Sequence, residues 1–284
     1  MPPIAFALAV AAAFVHAGWN LLLGRADDSE TATAAAMLVG AVVFAPIAVA
    51  SVALASGHVD AGAWPFLAAS NVLELGYLAL LARAYNEGRA SAVYPIARGS
   101  APVLVLLASV VLGRGADAAQ LLGVVLVAGG VVLLRSDGGR DSGGAGVSRS
   151  GLLLGLAVGV CIAGYTLVDK SGLEHASALP YLELTMIGPA VGYSAVVARR
   201  SGTVSIRRAL DRWTVAAGVG LFGAYGLVLL ALARSAAAPV AAVRETSVVI
   251  LTVMSALWLH ETVHRRQWVA ALVIVAGIGT VALG

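Results

Sequence analysis

The stretch AAQLLGVVLVAGGVVLLRSDGGRDSGGAGVSRSGLLLGLAVGVCIAGYTLVD, residues 118–169, decides how the rest of the chain is read. Ala118–Leu134 is an almost unbroken apolar run, and Gly151–Asp169 is a second. About 20 apolar residues cross a bilayer as a helix. A membrane barrel would instead alternate apolar and polar positions. Between the runs lies Arg135–Ser150, rich in Gly and Ser and charged, which is the composition of a flexible linker.

The same pattern extends in both directions. Of the 284 residues 60% are apolar and 12% charged, and the mean hydropathy is +0.93. A disordered chain is excluded, and a soluble enzyme fits poorly. Breaks at charges, prolines and glycines predict ten spans. Five precede the linker: Ile4–Leu23, Thr31–Ala55, Trp64–Tyr85, Ser91–Leu112 and Ala116–Leu134. Five follow it: Gly151–Asp169, Ala178–Ala198, Trp213–Arg234, Pro239–His260 and Arg266–Leu283. Met1–Pro3 carries no Lys or Arg, so the first run lacks a signal peptide's positive n-region and is read as a span. The expected fold is an all-α integral membrane protein with one five-helix repeat in 1–134, a cytoplasmic linker in 135–150 and a second repeat in 151–284.

Lys170 is the sole lysine among 18 basic residues. Thirteen of the 18 fall in the loops on the linker side, from Arg25 to Arg266, and three (Arg114, Lys170, Arg234) on the other. Cytoplasmic loops hold the excess of Lys and Arg. The linker is therefore expected in the cytoplasm and both termini outside, in a multi-pass plasma (inner) membrane protein. In the loop Arg199–Arg212, the segment SIRRALDR suggests a short interfacial helix with Ser205 as N-cap. The single Cys161 excludes an intrachain disulfide.

The halves resemble each other. Ala17-Gly18-Trp19-Asn20-Leu21 matches Ala163-Gly164-Tyr165-Thr166-Leu167, and Arg98 matches Arg244 at the same spacing. Leu112-Gly113-Arg114, Gln120 and Gly130 then match Leu259-His260-Glu261, Gln267 and Gly277 with one residue gained. An odd number of spans per half inverts the second relative to the first. The expected pseudo-two-fold axis then lies in the membrane plane, with a substrate site near the midplane.

AGWN early in the first half and ALWLHETVHRRQWVAALVIVAGI in the last two spans resemble the drug/metabolite transporter superfamily, and within it the EamA-type ten-helix carriers. In that family the fourth helix of each half commonly ends leucine-glycine-glutamate. Leu259-His260-Glu261 keeps the glutamate, and Leu112-Gly113-Arg114 does not. The resemblance implies transport of a small metabolite. It leaves open which of amino acids, sugars, nucleotide sugars, phosphorylated metabolites or lipid-linked sugars is carried.

Polar residues inside spans are expensive and mark function. Arg98 and Arg244 lie about 10 and 7 Å into their spans from opposite faces. They are read either as guanidinium forks for an anionic group or as partners of Glu74 and Glu245. Ser70, Asn71, Glu74 and Tyr77 form a stripe on one helix face. Glu74 is a candidate for a coupling proton or for a counter-charge, and Glu245 for a counter-charge. His16, Trp19 and Asn20 share a face of the first helix, either lining a cavity or bonding between helices. Tyr94, Tyr165 and Tyr225 complete the candidates. Gly151, Gly155 and Gly159 suggest close helix packing.

No HExxH, Walker A or cysteine cluster is present, so neither a metal, a cofactor nor an enzyme is expected. The expected activity is secondary transport of a small, anionic metabolite by alternating access. A flippase for a lipid-linked metabolite and a non-transporting sensor or partner subunit are the alternatives. The expected partners are a small-molecule substrate, the lipid bilayer and a coupling proton or ion, without nucleic acid, in a monomer or homodimer.

Overall fold

The computed structural model describes residues 1–54, 57–86, 90–113, 115, 117–135, 149–258 and 265–283. Among them the chain is helical throughout: α1 Pro3–Leu23, α2 Ser29–Ala53, α3 Trp64–Asn86, α4 Ala90–Val111, α5 Ala118–Arg135, α6 Arg149–Gly172, α7 Ala178–Ser201, α8 Thr203–Arg208, α9 Arg212–Leu232, α10 Ala237–Arg244, α11 Thr246–Trp258 and α12 Arg265–Leu283. Among the described residues six helical stretches are long and apolar enough to span a membrane, and three shorter apolar ones accompany them. Large apolar side chains such as Phe14, Val42, Val72, Val110, Leu153, Val191 and Leu272 point outward, as lipid requires. The linker and the Leu259-His260-Glu261 segment lie outside the described residues, apart from the linker's ends.

Helix starts follow ordinary capping chemistry. Asp28 caps α2 by accepting from the Thr31 N–H at 3.1 Å and from the Thr31 hydroxyl. Asp211 caps α9 by accepting from the Thr214 N–H at 2.7 Å. These bonds favour the ionised acids and hold both carboxyls below their ordinary value. The basic loop does fold into a helix, α8, but Gly202 at φ 83° stands at its N-cap. Ser205 sits inside it and back-bonds to the Ser201 carbonyl at 2.6 Å. Only glycine takes that φ without strain, so it sets the turn three residues earlier than expected.

The ninth expected span, Pro239–His260, is not one helix. It is interrupted at Glu245, between α10 and α11. There the backbone tightens: the Glu245 N–H bonds to the Ala242 carbonyl at 3.1 Å and the Val248 N–H to the Glu245 carbonyl at 3.0 Å. The Thr246 hydroxyl takes up the Val243 carbonyl. Such mid-helix tightening marks hinges and functional sites.

Packing interleaves the two halves. α1 and α2 of the first pack on α9 of the second, and α6 and α7 of the second pack on α3 of the first. α5 and α12 approach through glycine. A Cβ on Gly123 would stand 2.6 Å from the Gly277 carbonyl, and one on Gly130 3.0 Å from the Ala270 carbonyl. Gly155 and Gly159 do the same for α6 on α4, against Ile96 and Ser100.

Candidate functional site

The helices enclose a cavity of about 630 Å³. It begins at the α1–α2 loop, beside Asp27 and Asp28, and runs into the interior. The other end of the molecule is sealed. There the α2–α3 and α6–α7 loops form an antiparallel bridge at Val59 and Ala176. The Asp60 N–H bonds to the His175 carbonyl and the Ser177 N–H to the His58 carbonyl, each at 2.9 Å. Ser177 Oγ accepts from the His58 N–H at 3.1 Å and lies 3.0 Å from its Nδ1. Phe66 stacks on His175.

Arg98 on α4 and Arg244 at the end of α10 both line this cavity. Their surroundings differ. Arg98 donates to Glu245 Oε1 at 3.4 Å, an ion pair whose side chains are 7% and 3% exposed. Its other amino group lies 2.9 Å from His16 Nε2. A guanidinium only donates, so that imidazole nitrogen is the acceptor and bears no proton. Arg244 reaches the Tyr165 hydroxyl at 3.5 Å. No carboxylate stands within 4 Å of Arg244 among the described residues. The side chains of Tyr77, Tyr165 and Tyr225 meet edge to face, with centroids 6.4 and 6.2 Å apart, and form one wall.

Glu74, Trp19 and Asn20 also line the cavity, and Asn20 Nδ2 donates to the His16 carbonyl at 2.8 Å. Asn71 does not line it. It faces α7, donating to the carbonyls of Leu67 at 2.8 Å and Leu184 at 3.1 Å. The polar stripe on α3 is thus divided between a helix contact and the cavity. The side chain of Tyr94 lies outside the described residues.

Beneath the tyrosine wall is a residue the sequence reading passed over. Asp169 is fully buried; it accepts from Tyr181 at 3.1 Å and from the Tyr225 hydroxyl. It looked like the polar end of a span because Lys170 follows it. The helix in fact continues to Gly172, and Lys170 turns away to the Leu232 carbonyl at 2.7 Å. The signal available in the sequence was its position one turn beyond Tyr165.

The profile of the EamA-like transporter family matches residues 3–136 and again 149–283. The chain belongs to that family. As an EamA-like transporter it is a multi-pass membrane protein of a family of carriers rather than enzymes, and the double match makes the two halves a repeat of one unit. No curated protein matches it. Among solved structures 27 chains match. One, described only as a crystal structure of a protein, superposes with a TM-score of 0.75 over 98% of this chain and 95% of that one, at 17% identity. A likeness at that identity speaks for the fold alone.

Proposed function

We propose that this EamA-like transporter is a secondary carrier of a small anionic metabolite, alternating between two inverted five-helix halves, 1–134 and 151–284. The observation that carries the charge of the substrate is the inequality of the two arginines. Glu245 neutralises Arg98. Arg244 faces the same cavity with a tyrosine hydroxyl at 3.5 Å and no carboxylate within 4 Å among the described residues. A guanidinium cannot shed its charge at any workable pH, so an anion entering the cavity offsets the cost of burying it. Glu74 lines the same space as Arg244, and its carboxylate form is the counter-charge available to that arginine when the site is empty. Substrate and Glu74 then compete for one cation.

The packing supports the inverted arrangement. The repeat spacing carries Gly123 to Ala270 and Gly130 to Gly277, so it turns the contact of Gly123 with Gly277 into that of Gly130 with Ala270. A two-fold axis between the halves produces this exchange. The basic side then faces the cytoplasm, and the cavity mouth at the α1–α2 loop is on that side.

The test is thermal stabilisation of the purified protein by a panel of anionic and neutral metabolites. Lysine keeps the charge of Arg244 and loses the fork. Arg244→Lys is expected to weaken the anion by roughly ten- to a hundredfold. A neutral metabolite that stabilises wild type and Arg244→Lys equally would remove Arg244 from the site.

A further inference from the structure

Glu183 is a carboxyl with nothing to hold. It lies on α7 about 8 Å from the helix's first residue, at 7% exposure. Both its oxygens are buried without a hydrogen-bond partner among the described residues. α7 packs on α2, α3, α8 and α9, and the ionisable side chains described on them are elsewhere. Glu30, Arg83, Arg207, Arg208 and Arg212 lie towards the open end of the molecule, and Glu30 is held by Arg200 at 3.5 Å. Glu74, Tyr77 and Tyr225 line the cavity. On α7 itself, Tyr181 is bound to Asp169, Tyr193 lines the cavity mouthward of Met186, and Arg199 and Arg200 end the helix. A lone carboxylate in such a place is prohibitively costly. The packing suits the protonated acid, whose hydroxyl and carbonyl are far cheaper to bury.

A group left unsatisfied in this way calls for an explanation, and its place in the molecule supplies one. Glu183 stands between the cavity, which reaches Met186 one turn along α7, and the sealed end, where Ser177 at the start of α7 is tied to His58. We propose that Glu183 is a proton-binding site gated by the Val59–Ala176 latch. While the latch is closed the proton stays on the carboxyl. When the α2–α3 and α6–α7 loops part, water reaches Oε and the O–H bond breaks or reforms by transfer to or from that water, with no other bond changed. This inference rests on the alternating-access part of the function proposed above and is independent of the substrate's charge.

The experiment uses the full chain in liposomes with Cys161→Ser as background. Directly paired residues of an antiparallel bridge have the Cα spacing of a disulfide, so Val59→Cys with Ala176→Cys locks the latch reversibly. The infrared band of protonated carboxyls is followed as the pH is raised from acid to alkaline. With the bridge reduced, one carboxyl's band is expected to disappear; with it oxidised, the band is expected to persist. Glu183→Gln, which keeps the shape of the neutral acid, should lack that band in both states. A band that titrates regardless of the bridge, one that never titrates with the bridge reduced, or a Glu183→Gln spectrum identical to its parent would overturn the proposal. Labelling of Glu183 by a lipophilic carbodiimide, which attacks protonated carboxyls in apolar surroundings, is an independent readout in the otherwise unaltered chain; no label on Glu183 at neutral pH also overturns it. Neither measurement uses a substrate, so failure of the Arg244 assignment and failure of this one are told apart.

Discussion

Arg98 and Glu245 are a pair that neither residue can leave alone. Both are buried, and Glu245 Oε2 already lacks a partner among the described residues. Removing one charge strands the other, which costs about 3–5 kcal/mol in soluble proteins. Glu245→Gln is therefore expected to lower the melting temperature and the yield of purified protein sharply. The double change Arg98→Met with Glu245→Met replaces both ions by apolar chains of similar length and should recover most of the loss. A Glu245→Gln protein melting with wild type would show the pair to be idle. The same reasoning separates the arginines in binding. Arg98→Lys should chiefly affect stability, because its fork is engaged by Glu245 and His16. Arg244→Lys should chiefly affect affinity, since its fork is turned to the cavity. The ligand titration described above distinguishes these outcomes.

Between elements, closeness is set by glycine. α5 and α12 touch where Gly123 meets the Gly277 carbonyl and the Thr280 hydroxyl. A methyl at Gly123 would stand 2.6 Å from that carbonyl, and backbone cannot step aside as a side chain can. Gly123→Ala is expected to destabilise by about 1–3 kcal/mol through overpacking. Gly129, on the same helix, has open space where its Cβ would be. Gly129→Ala should be neutral or stabilise by up to about 1 kcal/mol, since Ala is the better helix former. Melting curves of the two variants provide the check, and equal shifts would contradict the close α5–α12 approach. The interruption at Glu245 belongs to this scale too. It puts Arg244 at a helix end, where a small change in backbone angles moves a charge without dragging a whole span.

Across the whole molecule, the two ends are closed unequally. The sealed end has an antiparallel bridge, paired backbone bonds and a stacked ring. At the cavity's mouth, Glu30 and Arg200 join α2 to the end of α7 at 3.5 Å, with side chains 40% and 56% exposed. Exposed pairs of this kind contribute about 0–1 kcal/mol, so the mouth is held weakly. On the orientation proposed above from the distribution of basic residues, this mouth faces the cytoplasm. A reporter active only in the cytoplasm, fused after Gly284, is expected to stay silent, and one inserted in the Arg135–Ser150 linker to be active. A strong signal at Gly284 would reverse the orientation or change the number of spans.

Composition alone determined that the chain lives in a membrane, because so apolar a sequence has no other stable solvent. The linker and the echo of AGWN in AGYT were enough to show a repeat, since local patterns survive in sequence. Arg98, Arg244 and Glu74 were legible as candidates because a charge among apolar neighbours stands out wherever it falls. Their partners were not legible. Whether Glu245 joined Arg98 or Arg244 depended on which helices meet, and the tertiary structure put it against Arg98. Asn71 shared a helical face with Glu74, yet α7 took it out of the cavity. Asp169 looked like a span end until the helix ran past it. Glu183 drew no notice, because a single acid near a span end looks solvated. Only packing shows that it is buried and that no hydrogen-bonding group of the described residues reaches it. Burial and partnership are sums over several helices distant in the chain, and no stretch of sequence contains that sum.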